Sequence, residues 1–226
     1  MIEGGGDMKF GVLGTGMVGR AIASKLVSRG HHVMMGARAR GNIPATEWAA
    51  AAGNNARAGS FSEAASFGDI LFNCVHGAHT LEALEAAGHD ALRGKILIDI
   101  ANPMDYSQGD PPLLLYCNDD SLGERIQRAF PEVRVVKTLN TVGFPSMVDG
   151  TRIPGEHDMF VCGNDVAAKA EVSLLLREEF RWSNVIDLGN ISSARATEML
   201  MPLFLRLWKT LGTFDFNIQV VVKPKA

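Results

Sequence analysis

The sequence predicts an α/β protein with a doubly wound parallel sheet and a small C-terminal α/β lobe. Short apolar segments alternate with helical patterns, which is typical of parallel strands whose two faces are covered by helices. A glycine-rich turn joins the first apolar segment to the first helical pattern. The chain has 226 residues and 46% hydrophobic content, so it is long enough to bury a full core.

The first strand and helix carry a dinucleotide-binding motif. An apolar strand over 9–13 is followed directly by Gly14-Thr15-Gly16-Met17-Val18-Gly19, which opens a helix. Gly14 allows the sharp turn, Gly16 lets a pyrophosphate approach the main chain, and Gly19 lets the helix pack close to the sheet. The free amides of the helix N-terminus then face the phosphates. The motif in this context favours a Rossmann nucleotide-binding fold over a bare glycine-rich turn.

The end of the second predicted strand, 33–36, indicates which nucleotide binds. A site for NAD usually has an acidic residue there, whereas this chain has Ala37 and Arg38, followed by Ala39 and Arg40. Arg38 can hold a 2′-phosphate with its planar, permanently charged guanidinium group. This favours NADP(H). The alternative is that Arg38 and Arg40 are ordinary surface charges on a loop.

The remaining periodicity extends the same architecture to the end of the chain. It predicts helices over 44–53, 61–65, 80–87, 121–130, 165–180 and 193–211, and strands over 69–75, 95–100, 133–137, 157–163 and 184–188. We expect an NADP-binding domain over 8–142. The segment 143–226 is expected to form the C-terminal lobe, which completes the substrate site and makes the dimer contact.

Two local features refine this assignment. Ser121 and Glu124 have the spacing of a capping box at the start of a helix. The preceding segment, 101–120, is rich in Pro, Asp and Gly and leaves the carboxyl end of a strand, where open α/β sheets bind ligands. It fits a lid over the site and a variable connector equally well.

Composition excludes several other classes of protein. The formal net charge is −3, with basic and acidic residues interspersed, so no nucleic-acid partner is expected. Cys74, Cys117 and Cys162 are widely spaced and indicate buried, reduced thiols rather than disulfides or a zinc site.

Residues 1–7 lack the features of a signal peptide and are expected to be a flexible leader, with Met8 as an alternative start. No segment has the length of a membrane span, and a cytoplasmic protein is expected.

Several motifs together resemble a known family across nearly the whole chain. The sequence resembles the NADPH-dependent reductases of the deazaflavin coenzyme F420, and it is also similar to the oxidoreductase domain of the STEAP metalloreductases. The motifs that carry the resemblance are Gly14–Gly19, Gly36-Ala37-Arg38, Lys137-Thr138-Leu139-Asn140-Thr141, Val161-Cys162-Gly163-Asn164-Asp165 and Asp187-Leu188-Gly189-Asn190-Ile191-Ser192-Ser193-Ala194-Arg195.

The resemblance implies NADP(H) along the glycine-rich edge, with a flat deazaflavin or flavin stacked beside the nicotinamide. Besides the glycine motif, it implies nucleotide contacts from the ends of later strands, and it places Asn140 and Thr141 near the nicotinamide. The implied contact residues after the motif are Ala37, Arg38, Val75, His76, His79, Ala101, Asn102, Pro103 and Asn140. Two departures from the family pattern stand out: the segment Val75-His76-Gly77 lacks the proline that similar reductases often have after this strand, and Asn140 replaces a histidine seen in some of them.

The chemistry implied is hydride transfer, in which the cofactors supply the reactivity and the protein positions them. No protein nucleophile is needed, and no catalytic triad or paired carboxylates are evident in the sequence. An NADPH:flavin or metal-chelate reductase and a noncatalytic NADPH-binding sensor remain alternatives. A β-hydroxyacid dehydrogenase or pyrroline-carboxylate reductase is rejected, because the C-terminal segment carries two strands where those families have only helices.

His76 and His79 lie three residues apart after a strand. A polar role at the edge of the cofactor and ordinary loop histidines both remain open, whereas no metal is expected, because a third ligand is not evident nearby.

Arg195 is predicted in the first turn of a helix, where the helix dipole disfavours a cation. Two interpretations fit equally: an anion site with Ser192 and Ser193, or an ion pair with Glu198 or Asp187.

The last helical pattern, 193–211, is apolar around much of its circumference. It is expected to be buried and to kink near Pro202. Because a small lobe offers little surface to cover such a helix, a homodimer is predicted.

Overall fold

The computed structural model describes residues 7–223, so most of the predicted leader lies outside the described residues. In the described part, the strands are β1 Lys9–Leu13, β2 His32–Ala37, β3 Ala56–Ser60, β4 Ile70–Asn73, β5 Ile96–Asp99, β6 Met104–Asp105, β7 Leu113–Leu114, β8 Arg134–Thr138, β9 Asp158–Gly163 and β10 Asn184–Asp187. The α-helices are α1 Met17–Ser28, α2 Ile43–Ala52, α3 Phe61–Phe67, α4 Thr80–Ala87, α5 His89–Leu92, α6 Leu122–Ala129, α7 Phe144–Met147, α8 Val166–Glu178, α9 Ala194–Met199 and α10 Met201–Leu211.

One sheet organises the molecule, with the strand order β10-β9-β8-β5-β4-β1-β2-β3. β1 is central, and Phe10 lies between Val33 of β2 and Ile70 of β4. In chain order, β2 and β3 are added on one side of β1, and β4 then pairs with its other side. Ligands of open α/β sheets bind at such a switch point, outside the carboxyl ends of the strands. The topology therefore places the binding crevice beyond Leu13 and Asn73.

Side chains alternate between the two faces of the sheet, and each face has its own apolar core. Phe72, Ile98 and Val136 pack in the layer that includes α1, α2 and α8. Their neighbours Leu71 and Leu97 pack in the opposite layer with α3, α4 and α6. This double coverage explains why the inner strands are apolar at successive positions. The predicted Rossmann-type α/β class is confirmed.

The sheet is parallel except between β8 and β9, where Lys137 lies opposite Cys162 in an antiparallel pair. The predicted parallel arrangement therefore holds for the other strand pairs of this sheet but not at this junction. The connection from β8 to β9 contains the short helix α7 and a single 3-10 turn, Gly150–Arg152, and so lacks the long crossover helix that a parallel pair needs. β9 and β10 are parallel to each other and extend the same sheet.

Three further elements differ from the sequence prediction. β3 was not predicted, because Ala56–Ser60 at the sheet edge has no apolar alternation. The segment 101–120 contains a small antiparallel pair, β6 and β7. The predicted helix over 193–211 is two helices that meet at Leu200, since Pro202 in the first turn of α10 cannot continue α9.

The predicted capping box at α6 is only half formed. Ser121 Oγ accepts a hydrogen bond from the Glu124 amide at 3.1 Å. The reciprocal bond is missing, because the Ser121 amide donates to the side chain of Asp120, while the Glu124 carboxylate accepts from the Ser121 hydroxyl. A complete capping box is formed instead by Ser60 and Glu63 at the start of α3.

Candidate functional site

Two adjoining pockets open at the carboxyl ends of β1, β4 and β5, at the switch point of the sheet. The first pocket has a volume of about 320 Å³ and the second about 400 Å³. Their common wall is formed by Gly16, Cys74, Val75 and His76. Two ligands bound in these pockets would therefore meet at this wall.

The glycine-rich turn shapes the floor of both pockets. Gly14 has a left-handed φ of 119°, its amide donates to the carbonyl of Gly36 at 2.9 Å, and a Cβ there would lie 2.6 Å from the carbonyl oxygen of Cys74. A Cβ on Gly19 would overlap the Gly14 carbonyl, so this glycine lets α1 pack against the turn. A Cβ on Gly16, in contrast, would meet no atom within 4 Å. Gly16 therefore leaves open the space that a pyrophosphate needs at the N-terminus of α1.

The far end of the first pocket carries an exposed cation. Arg38 lines it, with its side chain 74% exposed, and the nearest carboxylate oxygen, on Glu82, is 3.9 Å away. Arg40 differs, because its guanidinium is paired with Glu63. Ala37 and Asn42 complete this end and leave room beside Arg38. The arrangement fits a ribose 2′-phosphate held by Arg38, while the opposing charge of Glu82 weakens it.

An amide pair forms the back of the second pocket. Asn102 Nδ2 donates to the main-chain carbonyl of Asn140 at 2.8 Å, and Asn140 Nδ2 donates to Asn102 Oδ1 at 3.0 Å. Leu139, just before Asn140, is buried with a φ of 61°, which is rare and costly for a branched side chain. The reciprocal hydrogen bonds hold two turns from different strands in one fixed geometry.

A buried ionic network fixes the main chain next to this amide pair. Lys137 Nζ lies 2.8 Å from both Asp99 Oδ2 and Glu198 Oε1, and it also donates to the carbonyl of Ala101. The Ala101 amide in turn donates to Asp99 Oδ1 at 3.2 Å. Both main-chain groups of Ala101, the residue before Asn102, are thus fixed by buried charges.

The charge states of this network follow from its contacts. Burial alone would lower the pKa of Lys137, but the charges of Asp99 and Glu198 raise it above its usual value. Burial raises the pKa of the Glu198 carboxyl. We nevertheless assign the ionised form, because its two oxygens accept hydrogen bonds from the amides of Leu122 and Gly123 at 2.8 and 3.1 Å. The network therefore contains a charged lysine between two carboxylates.

Aromatic residues from the C-terminal segment close the second pocket. Phe204 and Phe214 line it together with Met201. Phe214 stacks on Trp208 with ring centroids 4.5 Å apart and planes 18° from parallel. The described lining of this pocket contains no carboxylate, lysine or arginine side chain. Its apolar, flat-sided character suits an uncharged aromatic ring.

Comparisons with known proteins agree with this geometry. The sequence model of the family described as NADP oxidoreductase, coenzyme F420-dependent, matches residues 9–103. A crystal structure of a protein proposed to be an F420-dependent NADP-reductase, from Arthrobacter sp. FB24, is 47% identical and superposes with a TM-score of 0.90, covering 95% of this chain and 100% of that one. The chain belongs to this family of NADP oxidoreductases.

Curated relatives give a second, more distant likeness. Metalloreductase STEAP3 of Rattus norvegicus is 30% identical over 89% of this chain, and metalloreductase STEAP2 of Homo sapiens is 27% identical over 96%. The chain spans only 38% and 42% of their lengths. The resemblance stated from the motifs is confirmed for both groups.

The structure of this family member brings most of the predicted contact residues together. Arg38 and His79 line the first pocket, and Met17, Val18 and Asn140 line the second. Gly19, Pro103 and Thr141 line neither pocket; the buried hydroxyl of Thr141 has no hydrogen-bond partner among the described residues. The other predicted contacts line one or both pockets: Gly14, Thr15, Gly16, Ala37, Val75, His76, Ala101 and Asn102.

The predicted ion pairs of Arg195 are wrong. Arg195 pairs with Glu124 of α6, its Nη2 lying 2.6 Å from Oε1. Glu198 is held by Lys137, and Asp187 is held by Lys169 at 2.8 Å. The Ser192 hydroxyl donates to Asn190 Oδ1 and the Ser193 hydroxyl donates to the Leu188 carbonyl, so neither hydroxyl is free to bind the anion predicted at this site.

The C-terminal helices are also less buried than predicted. Phe204 is the buried residue of α10, whereas Leu203 and Leu211 are 48% and 54% exposed. Phe204 was missed as a pocket residue, because the apolar stripe of this helix was interpreted as core and dimer contact. Phe214, which also lines the second pocket, follows the helix and carried no prediction. Among residues 7–223, no helix is long and apolar enough to cross a membrane.

The cysteines are free, but not all of them are buried. Cys162 lies in the core, where burial raises the pKa of its thiol to about 12. Cys74 is partly buried beneath the common wall of the pockets, and burial raises its pKa as well. Cys117 is exposed, so the expectation of three buried thiols is wrong for this residue. Among the described residues, no cluster of three or more His, Cys, Asp or Glu side chains could hold a metal ion.

Proposed function

We propose that this protein transfers a hydride between NADP(H) and a flat ring acceptor, a deazaflavin of the coenzyme F420 type or a flavin. The observation that carries the proposal is the pair of pockets that share one wall. The first offers an open glycine turn and the exposed cation of Arg38, which fit a phosphorylated dinucleotide. The second offers an uncharged aromatic slot at the position where the nicotinamide would end.

The side chains of this protein would position the nucleotide and the acceptor rather than react themselves. NADP(H), when bound, supplies the hydride chemistry. Arg38 would bind the 2′-phosphate and Gly16 would let the pyrophosphate approach the amides of α1. Asn102 and Asn140 would hold the nicotinamide end, with their geometry fixed by the network around Lys137. Phe204 and Phe214 would exclude water from the acceptor side.

The organisation of the chain is part of the proposal. Residues 8–142 would bind the nucleotide, and residues 143–226 would complete the acceptor pocket, which is supported by Phe204 and Phe214 in its wall. A homodimer would cover the exposed apolar side of α10, where Leu203 and Leu211 lie. The free cysteines fit a reducing compartment such as the cytoplasm.

A second candidate is an NADPH-dependent flavin or metal-chelate reductase. The likeness to the STEAP metalloreductases favours it. The two candidates share the nucleotide pocket and differ in the ring that the second pocket accepts.

An anaerobic assay separates these candidates. Purified protein is mixed with NADPH or NADH and with oxidised F420, FMN or a ferric chelate, and the loss of acceptor absorbance or the formation of ferrous iron is followed. Fast reduction of F420 with NADPH supports the first candidate, and reduction of FMN or the chelate alone supports the second. Tight NADPH binding without reduction of any acceptor would contradict both and indicate a sensor.

A further inference from the structure

We propose that His76 is a catalytic residue that donates a hydrogen bond from Nε2 to the acceptor ring as the hydride arrives. This inference rests on the proposed function, because it requires a ring acceptor in the second pocket. Four observations carry it: the position of the side chain, the partner of Nδ1, the charge state of the imidazole and the lining of the pocket.

His76 occupies the ridge between the two pockets and lines both of them. The turn that carries it is held against the back of the second pocket, since a Cβ on Gly77 would overlap the main-chain carbonyl of Asn102. His76 is thus fixed next to the amide pair of Asn102 and Asn140. An imidazole at this point would contact both the nicotinamide and the acceptor ring.

The local backbone selects one tautomer of the imidazole. The Ala78 amide donates to His76 Nδ1 at 3.4 Å, which caps the 3-10 turn Gly77–His79. A nitrogen that accepts a hydrogen bond carries no proton, so the proton of the neutral ring lies on Nε2. Nε2 therefore carries the proton that the ring can donate, and it faces away from the 3-10 turn.

The surroundings keep this imidazole neutral. Partial burial, and then repulsion from His79, lower the pKa of His76. The rings of His79 and Tyr106 lie beside it, each with its centroid 6.0 Å away, and Cys74 lines the same pockets. Glu82 lies 3.8 Å from His79 Nδ1.

Hydride transfer creates a negative charge on the acceptor that this donor can stabilise. A hydride from the dihydronicotinamide C4 would carry two electrons to the central ring of the acceptor, to a carbon in a deazaflavin or to a nitrogen in a flavin. An electron pair of the acceptor would then move to its nitrogen and carbonyl edge. Solvent supplies the proton that completes the balance: NADPH, acceptor and H⁺ give NADP⁺ and reduced acceptor. A neutral N–H directed at that edge stabilises the growing negative charge without giving up its own proton. The described lining of the pocket offers no cation that could replace it.

Matched variants test the role. His76→Leu removes the donor, His76→Gln keeps one on a side chain of similar reach, and His89→Leu changes an exposed histidine of α5 that lines neither pocket. The readouts are the dissociation constant of NADPH, the rate of hydride transfer to F420 or FMN in a single anaerobic turnover, and a long-range ¹⁵N NMR spectrum of the histidines.

We expect His76→Leu to slow hydride transfer about tenfold or more, with a much smaller change in NADPH affinity, and His76→Gln to recover most of the rate. His89→Leu should keep the wild-type transfer rate. The NMR spectrum should show the proton of neutral His76 on Nε2, with its resonance shifted when FMN is added to the NADP⁺ complex.

Several results would overturn the inference. Equal rates for wild type and His76→Leu, a His76→Gln variant as slow as His76→Leu, or a neutral ring protonated on Nδ1 would each remove it while leaving the proposed function intact. Failure of the wild type to reduce either acceptor would instead refute the proposed function, and the role of His76 with it.

Discussion

Replacing Arg38 by alanine should convert a preference for NADPH into indifference between NADPH and NADH. The Arg38 side chain is 74% exposed, and its ion pair with Glu82 is long, at 3.9 Å, and solvent-exposed, so little energy is lost when Arg38 binds a phosphate instead. A hydrogen bond to a charged group contributes about 1.5–3 kcal/mol. Because about 1.4 kcal/mol corresponds to a factor of ten, the dissociation constant of NADPH should rise about 10- to 100-fold.

The assay is a titration of each nucleotide, followed by the change in nicotinamide fluorescence at low and physiological salt. NADH binding should stay within about twofold, because NADH lacks the phosphate that Arg38 would hold. Glu82→Gln should act in the opposite direction and tighten NADPH, since it removes a negative charge beside the phosphate site. Arg40→Ala serves as the matched control, because Arg40 is paired with Glu63. Equal loss of NADPH and NADH affinity in Arg38→Ala, or no loss of either, would refute the reasoning.

Three further substitutions separate binding from stability. Gly16→Ala should keep the wild-type Tm and lose NADPH affinity at least about tenfold, because the new methyl group meets no protein atom yet fills the approach of the pyrophosphate; a lower Tm would contradict this. Lys137→Met should lower the free energy of unfolding by about 3–5 kcal/mol in urea titrations, because it leaves two buried carboxylates without their cation; an unchanged value would exclude the ionised network. Phe214→Leu should raise the KM of the acceptor several-fold while the NADPH dissociation constant stays fixed, and a change in NADPH binding alone would place Phe214 in the wrong pocket.

The nucleotide half of the site could be predicted because its signals are local. Gly14, Gly16 and Gly19 lie within one turn, and each has a separate steric reason that a single sequence reveals. Arg38 follows a strand whose end must face the ribose. Their positions can be predicted once the order of strand, turn and helix is known, and hydrophobic periodicity indicates that order.

The remaining features depend on residues distant in sequence. Lys137 and Glu198 are 61 positions apart, and nothing in either neighbourhood indicates that their charges meet in the core. Arg195 has carboxylates nearer in sequence than Glu124, yet tertiary packing selects Glu124. Phe204 appeared to be a core residue, because an apolar stripe has the same pattern whether it covers a sheet or a ligand pocket. Sequence alone therefore predicted the lining of the first pocket better than that of the second.

The most direct test of the two-pocket account is to follow a deuterium label from NADPH to the acceptor. NADPH labelled at C4, prepared separately on each face of the ring, is mixed anaerobically with the wild-type protein and oxidised F420, and the products are analysed by mass spectrometry and NMR. Adjoining pockets predict that label from one face alone appears on a ring carbon of the reduced acceptor and slows the reaction by a primary isotope effect. Loss of the label to water, equal transfer from both faces, or no reduction of F420 would contradict direct transfer between two rings held face to face.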